Sequence, residues 1–285
     1  VTPPQYGKVF ITIKPKNGEI LSDISKNSIK NGLKKYTVAG IKQEFVDLKY
    51  LYVEYTSNVS YNSGFVTDKL GLNSRIIAAI EEYSKSSDIN SFGGRLKYSK
   101  LLSIIDKVDT GITSNITNLV MRRDMSPIYN SLTNYELCYG NQFHADMEGF
   151  NVRSSAFKIE GISGNVYLTD FPDSTGKFGV IKYFNFVNNT INFINENAGT
   201  IDYVKGEIIL FPVTISSTSI TNKIEIEVTP ESNDIIAKEN LYIVLDNTGN
   251  STLTLIEDTI SSGSNRSGTA YTPPSSFIST KKYTR

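Results

Sequence analysis

Tryptophan is absent from this chain, and cysteine and histidine occur once each, as Cys138 and His144. A single cysteine excludes an intrachain disulfide framework and fits a protein that folds in a reducing cytoplasm. One histidine and one cysteine leave too few nitrogen and sulfur donors for a closed metal site, so general acid–base work would fall to carboxylates. Net charge is missing too, because 29 Lys and Arg offset 29 Asp and Glu, and no overall field gathers a polyanion or an anionic membrane. The short basic clusters Lys34-Lys35, Arg122-Arg123 and Lys281-Lys282 read as solvated faces or tail. No apolar run approaches the roughly 20 residues that cross a bilayer. Nucleic acid, membrane insertion, a metal and a cofactor are therefore not expected.

Core material is plentiful: 39% of the 285 residues are hydrophobic, with 14 Phe and 17 Tyr. A chain of this length exceeds one core, so two domains, or one domain with an appendage, are expected. It lacks an initiator Met and enters an apolar alternation within its first ten residues, which suggests a piece of a longer polypeptide.

The first 125 or so residues alternate strand and helix signals. Val9, Ile11 and Ile13 alternate with polar neighbours and end at a Pro15-Lys16-Asn17-Gly18 turn. Leu21, Ile24, Leu33 and Tyr36 recur at helical spacing. From Phe45 to Tyr61 both parities are apolar or aromatic, which reads as a long strand covered on both sides or bulged midway. Thr67 reads as the N-cap of a helix with a Leu72, Ile76, Ile80, Tyr83 stripe, which Gly93-Gly94 terminates. A shorter helix with Tyr98, Leu101, Leu102 and Ile105 precedes a strand through Ile116, Leu119 and Met121. Beyond Pro127 the helical period disappears, and short strands follow between Gly, Asn, Asp and Pro, the last at Leu241-Ile243-Leu245. The expected fold is α+β: a mixed α/β domain over 1–128 with helices on a sheet, an all-β domain over 129–245, and an extended tail over 246–285. The tail is rich in Ser, Thr, Gly and Asn, so it has little core of its own. Its candidate partner contacts are Tyr271, Pro273, Pro274, Phe277 and Ile278, expected to anchor on another chain.

No constellation carries chemistry convincingly. His144 sits in a polar loop with Asp146 and Glu148, without further ligands. Glu225 and Glu227 share a strand face but alternate with Ile224, Ile226 and Val228, the pattern of a half-buried strand with a wet side. Gly93-Gly94 and Gly161-Ile162-Ser163-Gly164 lack phosphate-loop endings, and Ser103 and Ser154-Ser155 lack a nucleophile elbow. A carboxylate hydrolase and a β-rich receptor- or glycan-binding module are the competing readings. The second needs exposed aromatic platforms, whereas most Tyr and Phe fall at strand-interior positions.

Several ordered stretches carry a resemblance. Gly7-Lys8-Val9-Phe10-Ile11-Thr12-Ile13-Lys14-Pro15-Lys16, Val46-Asp47 with Tyr50-Leu51-Tyr52-Val53, and Arg95-Leu96-Lys97-Tyr98-Ser99-Lys100-Leu101 come first. Ile105-Asp106, Ser114-Asn115-Ile116-Thr117, Ala198-Gly199-Thr200-Ile201-Asp202-Tyr203 with Gly206-Glu207-Ile208, and Pro230-Glu231-Ser232-Asn233-Asp234 follow. Together they resemble the baseplate wedge protein of T-even-type contractile-tailed bacteriophages, a relative of the baseplate J family, in its C-terminal half. The resemblance implies a structural, non-enzymatic subunit of the virion tail baseplate, assembled in the host cytoplasm and without catalytic residues. It also implies the partners: a second copy in a dimer, ring contacts with neighbouring wedge proteins, and hub or sheath-proximal tail proteins. The implied role is to link wedges into a ring around the hub and relay the rearrangement that triggers sheath contraction.

Overall fold

The computed structural model describes residues 7–14, 22–37, 40–46, 48–238, 241–247 and 250–258. At the N-terminal end, β1 (Lys8–Ile11) and β2 (Lys42–Phe45) pair in parallel, and the connection between them holds helix α1 (Asp23–Leu33). Ser22 caps α1 by accepting from the Ser25 N–H at 3.2 Å, and a 3₁₀ turn (Lys34–Tyr36) ends it. Among the described residues, none from 7 to 46 is buried. Lys14 ties this unit to the rest: its ammonium donates to Asn90 and Tyr242 and lies 3.9 Å from the Tyr242 ring centre.

The main sheet is built on β3 (Lys49–Tyr61). From it the chain passes through α2 (Lys69–Ser84), β4 (Arg95–Leu96) and α3 (Tyr98–Asp106) and returns as β5 (Ile112–Met125), antiparallel to β3. Period 2 decides the faces. Leu51, Val53, Tyr55 and Val59 on β3 and Leu119 and Met121 on β5 are buried with the helix stripes Leu72, Ile76, Ile80, Tyr83 and Leu101, Ile105. Each such side chain contributes about 1.5–3 kcal/mol by leaving water. The N-cap of α2 is Asp68, not the expected Thr67: its carboxylate accepts from the Gly71 N–H at 2.9 Å, which leaves Thr67 outside the helix.

The second sheet is antiparallel and consists of β6 (Leu132–Cys138), β8 (Phe157–Ile159), β9 (Tyr167–Pro172), β10 (Phe178–Val187), β11 (Thr190–Asp202) and β12 (Glu207–Thr218). Its order is β6-β12-β11-β10-β9, with β8 on the far part of β12. The β11–β12 turn needs Gly206: its φ is +71°, and a Cβ there would lie 1.9 Å from the Asn141 carbonyl oxygen.

Strand pairing crosses the boundary expected at residue 128. β13 (Ile224–Val228) pairs with β5 on one side and β7 (Arg153–Ser154) on the other, and β14 (Ile235–Ile236) pairs with β4. β15 (Leu241–Leu245) and β16 (Thr252–Glu257) lie parallel to successive halves of β3. The described residues from 129 to 258 contain no helix, and the chain as a whole is β-rich. Part of the extended tail expected over 246–285 is instead a strand, because β16 pairs with the open side of β3 and buries Leu255; residues 259–285 lie outside the described residues. Ser251 bridges the gap between β15 and β16, its hydroxyl accepting from the Tyr55 N–H at 3.1 Å and donating to the Asp246 carbonyl.

The segment from 139 to 152, read as a polar loop, is stitched by asparagine amides that imitate a strand partner. Asn141 donates to Tyr139 O and Ile236 O and accepts from the Ile236 N–H, all at 2.9 Å. Asn151 donates to His144 O and Thr229 O and accepts from the Thr229 N–H.

Candidate interaction surfaces

The face of the main sheet opposite the helices holds a buried ionic cluster centred on Arg122. Its guanidinium pairs with Glu54, lies 3.1 Å from Asp246 and 3.7 Å from Glu225, and stacks 4.5 Å from the Tyr52 ring centre. Asp124 lies 3.0 Å from Nε without hydrogen-bond alignment, so that contact is coulombic. Lys223 joins Asp124 at 3.1 Å to Glu225 at 2.6 Å, and Asn250 donates to Glu54 at 3.1 Å and Glu227 at 3.3 Å. Burial raises the Glu54 and Glu227 carboxyls above the usual range, and the charge of Arg122 only partly opposes this. Burial works against the charged guanidinium, but Asp124, Glu54, Glu225 and Asp246 override it and hold Arg122 upward. The cluster ties β3, β5, β13 and the segment after β15 into one body.

A second buried carboxylate, Asp170, accepts from the Val152 N–H at 2.7 Å and the Tyr203 hydroxyl at 2.6 Å. Burial, then the Asp170 charge, drives the Tyr203 phenol far upward. His144 lies 2.9 Å from Glu231, both exposed, and no group of three His, Cys, Asp or Glu among the described residues is placed to hold a metal.

One face of the second sheet carries an aromatic ladder, with Phe150 packed against Phe171 and Phe184. Phe171, Phe184, Phe186, Phe193 and Tyr167 meet at centroid distances of 5.5–6.4 Å, with Lys182 4.3 Å over Phe171. The ladder climbs to the β10–β11 turn, where Asn188 and Asn189 at φ 52° and 60° supply the left-handed pair of a type I′ hairpin. Phe186, 56% exposed, and Ile191 flank that turn. On the other side of the hairpin, β11 pairs with β12 only from Gly199↔Leu210 to Asp202↔Glu207. Beyond it the strands splay and leave an open groove of about 550 Å³ lined by Ile159, Glu160, Ile162, Tyr183, Ile194 and Phe211, among others. Tyr183 is 4% exposed and its hydroxyl has no hydrogen-bond partner.

Residues 1–46 match the family model described as baseplate structural protein gp6, C-terminal domain I, and residues 49–124 match C-terminal domain III of the same protein. The junction falls where the β1–β2 unit gives way to the main sheet. The chain is also 28% identical over 124 residues to the baseplate wedge protein gp6 of Enterobacteria phage T4, a match that covers 43% of this chain and 19% of that protein. These matches support reading residues 1–46 and 49–124 as similar to the C-terminal region of a baseplate wedge protein, of which the aligned stretch spans only about a fifth. This family places it in the baseplate of a phage tail, as the resemblance implied.

For a baseplate wedge protein the functional residues are those that meet neighbours. The expected tail anchors Tyr271, Pro273, Pro274, Phe277 and Ile278 lie outside the described residues. Two features escaped the sequence reading. Arg122 and Glu225 were assigned to solvated faces, yet both belong to the buried cluster, because their partners lie 68 to 124 positions away along the chain. The aromatic ladder was assigned to core, which describes Phe184, buried and in contact with Phe150, but not Phe186, which is exposed, since alternation marks one face of a strand without saying how far a cover extends along it.

Proposed function

We propose that this chain is a non-enzymatic structural part of the wedge that self-associates, joins neighbouring wedge proteins into a ring around the tail hub, and passes on the rearrangement preceding sheath contraction. The observation that carries this is the β1–β2 unit. An isolated two-stranded sheet and an 11-residue helix are each marginal in water, and no described residue of this unit is buried. Phe10, 49% exposed, and Ile24, 83% exposed, offer apolar surface that a neighbour would cover. The 49–258 body, cross-linked by the Arg122 cluster, supplies the stiffness that a relay requires. Sedimentation velocity at micromolar concentration should reveal a dimer, and addition of other baseplate wedge proteins should draw it into larger particles. A strict monomer that enters no such particle refutes the reading.

The aromatic ladder favours a second reading, a virion module that binds a receptor or glycan through stacked rings. A glycan array without signal above background, and loss of assembly on Phe186→Ser, would assign the ladder to protein contacts instead.

A further inference from the structure

The unit formed by β1, α1 and β2 is joined to the 49–258 body by one chain crossing, from β2 to β3, and none of its described residues is buried. Two bodies that share no buried apolar surface move relative to one another unless a polar contact holds them. Every hydrogen bond described between these two starts from a single side chain, Lys14. Its ammonium donates to the Asn90 side-chain oxygen and to the Tyr242 hydroxyl, and that hydroxyl donates to the same Asn90 oxygen, which closes a triangle of bonds.

Packing fixes the receiving side. Tyr242 belongs to β15, is 2% exposed, and sets its ring edge-on to Tyr50 at 6.4 Å and Phe92 at 6.0 Å. Burial, then the neighbouring Tyr50, pushes its phenol up to about 12, so the hydroxyl keeps its proton for Asn90. The Lys14 ammonium also lies 3.9 Å from the Tyr242 ring centre, within reach of its π face. Burial lowers the Lys14 amine, because these contacts stand where water would otherwise solvate the charge. The delivering side has no comparable packing: Lys14 stands three residues beyond the end of β1 in a unit without a buried residue.

From this geometry we infer that Lys14 is a releasable latch. It holds the N-terminal unit against β15 and the α2–β4 connection, and its withdrawal from Tyr242 and Asn90 lets the unit swing about the crossing from β2 to β3. The two states differ by the contacts of one charged group, so a neighbour that covers Phe10 and Ile24 opens or closes the latch by binding one state better. This supplies a moving part for the relay proposed above; the inference rests on that reading for the purpose of the movement, not for its existence.

Double electron–electron resonance on the full chain measures the movement, with spin labels at Ser28→Cys on α1 and Glu82→Cys on α2, both exposed, in a Cys138→Ser background. Labelled chain diluted into excess unlabelled chain gives distances within one copy, and sedimentation of the same samples gives self-association separately. The parent should show one narrow distance. Lys14→Met should add a broad, longer component and lower the docked-to-released ratio at least tenfold, the loss expected when a charged donor is removed. Tyr242→Phe keeps the ring, removes the hydroxyl and should lower the ratio about threefold. Lys8→Met breaks a pair with Glu44 inside the unit and should leave the distribution as in the parent. A Lys14→Met distribution as narrow as the parent's, a ratio indifferent to Tyr242→Phe, or a Lys8→Met distribution as broad as that of Lys14→Met overturns the inference. A chain that sediments as a monomer yet shows the Lys14-dependent swing refutes the self-association and leaves the latch standing.

Discussion

Replacing Arg122 with Met keeps most of the side-chain volume and removes the charge around which Glu54, Asp124, Glu225 and Asp246 are arranged. The Glu54 side chain is 6% exposed and that of Asp246 11%, so water cannot take over the lost role, and Lys223 reaches only Asp124 and Glu225. Breaking a buried pair in this way costs about 3–5 kcal/mol at neutral pH. At about 2–3 °C per kcal/mol for a protein of this size, the melting temperature should fall by roughly 6–15 °C. The loss should also depend on pH. Burial already raises the Glu54 carboxyl in the folded state, and without Arg122 it rises further. A group whose folded pKa is raised contributes stability at low pH that is lost as pH climbs through the folded pKa, so the variant should suffer less near pH 5 than near pH 7.5. Calorimetric melts of both proteins at the two pH values measure this, with Arg75→Met as control. The Arg75–Asp109 pair, 2.8 Å long but half in solvent at the arginine, is screened by water and its loss should leave the melt nearly unchanged. A variant that melts within 2 °C of the parent at neutral pH, or one equally destabilised at both pH values, refutes the reasoning.

Tyr203→Phe leaves the buried Asp170 carboxylate with the Val152 N–H as its remaining donor and should lower unfolding free energy by about 1–3 kcal/mol in urea titration. Gly206→Ala pushes a methyl against the Asn141 carbonyl at a positive φ, and should yield insoluble protein or a melt lowered by several degrees in circular dichroism. Glu227→Gln removes a carboxyl that burial and Glu225 hold upward, and should lessen the loss of stability expected of the parent as pH climbs through the raised Glu227 pKa, read by melts at a series of pH values. Treatment with a chelator should leave the melting temperature unchanged, since one His and one Cys cannot close a site of nitrogen and sulfur ligands.

Local period was enough to find the helices α2 and α3 and the strands β3, β5 and β13, because each buries a regular stripe of its own residues. It failed where the deciding contact is distant. Nothing in Thr252-Leu253-Thr254-Leu255 distinguishes a free tail from an edge strand; the difference is the open side of β3, some 196 positions earlier. The return of β13 to β5 is hidden for the same reason, since alternation tells which side chains are buried but not which sheet buries them. The interaction surfaces were legible only through the family resemblance. The groove depends on where two strands part, and that divergence leaves no mark in composition.

β3 has β5 on one side and β15 with β16 on the other, and these last two are the final described strands. During synthesis the β3 edge therefore waits for about 180 residues, roughly 9–36 s at 5–20 residues per second. Over that interval it is an unpaired template, and Arg122 lacks Asp246. A ribosome that stops early releases a chain whose central sheet is open and whose charge cluster is incomplete. Such a chain is prone to aggregation and proteolysis until the last described strands close the β3 edge.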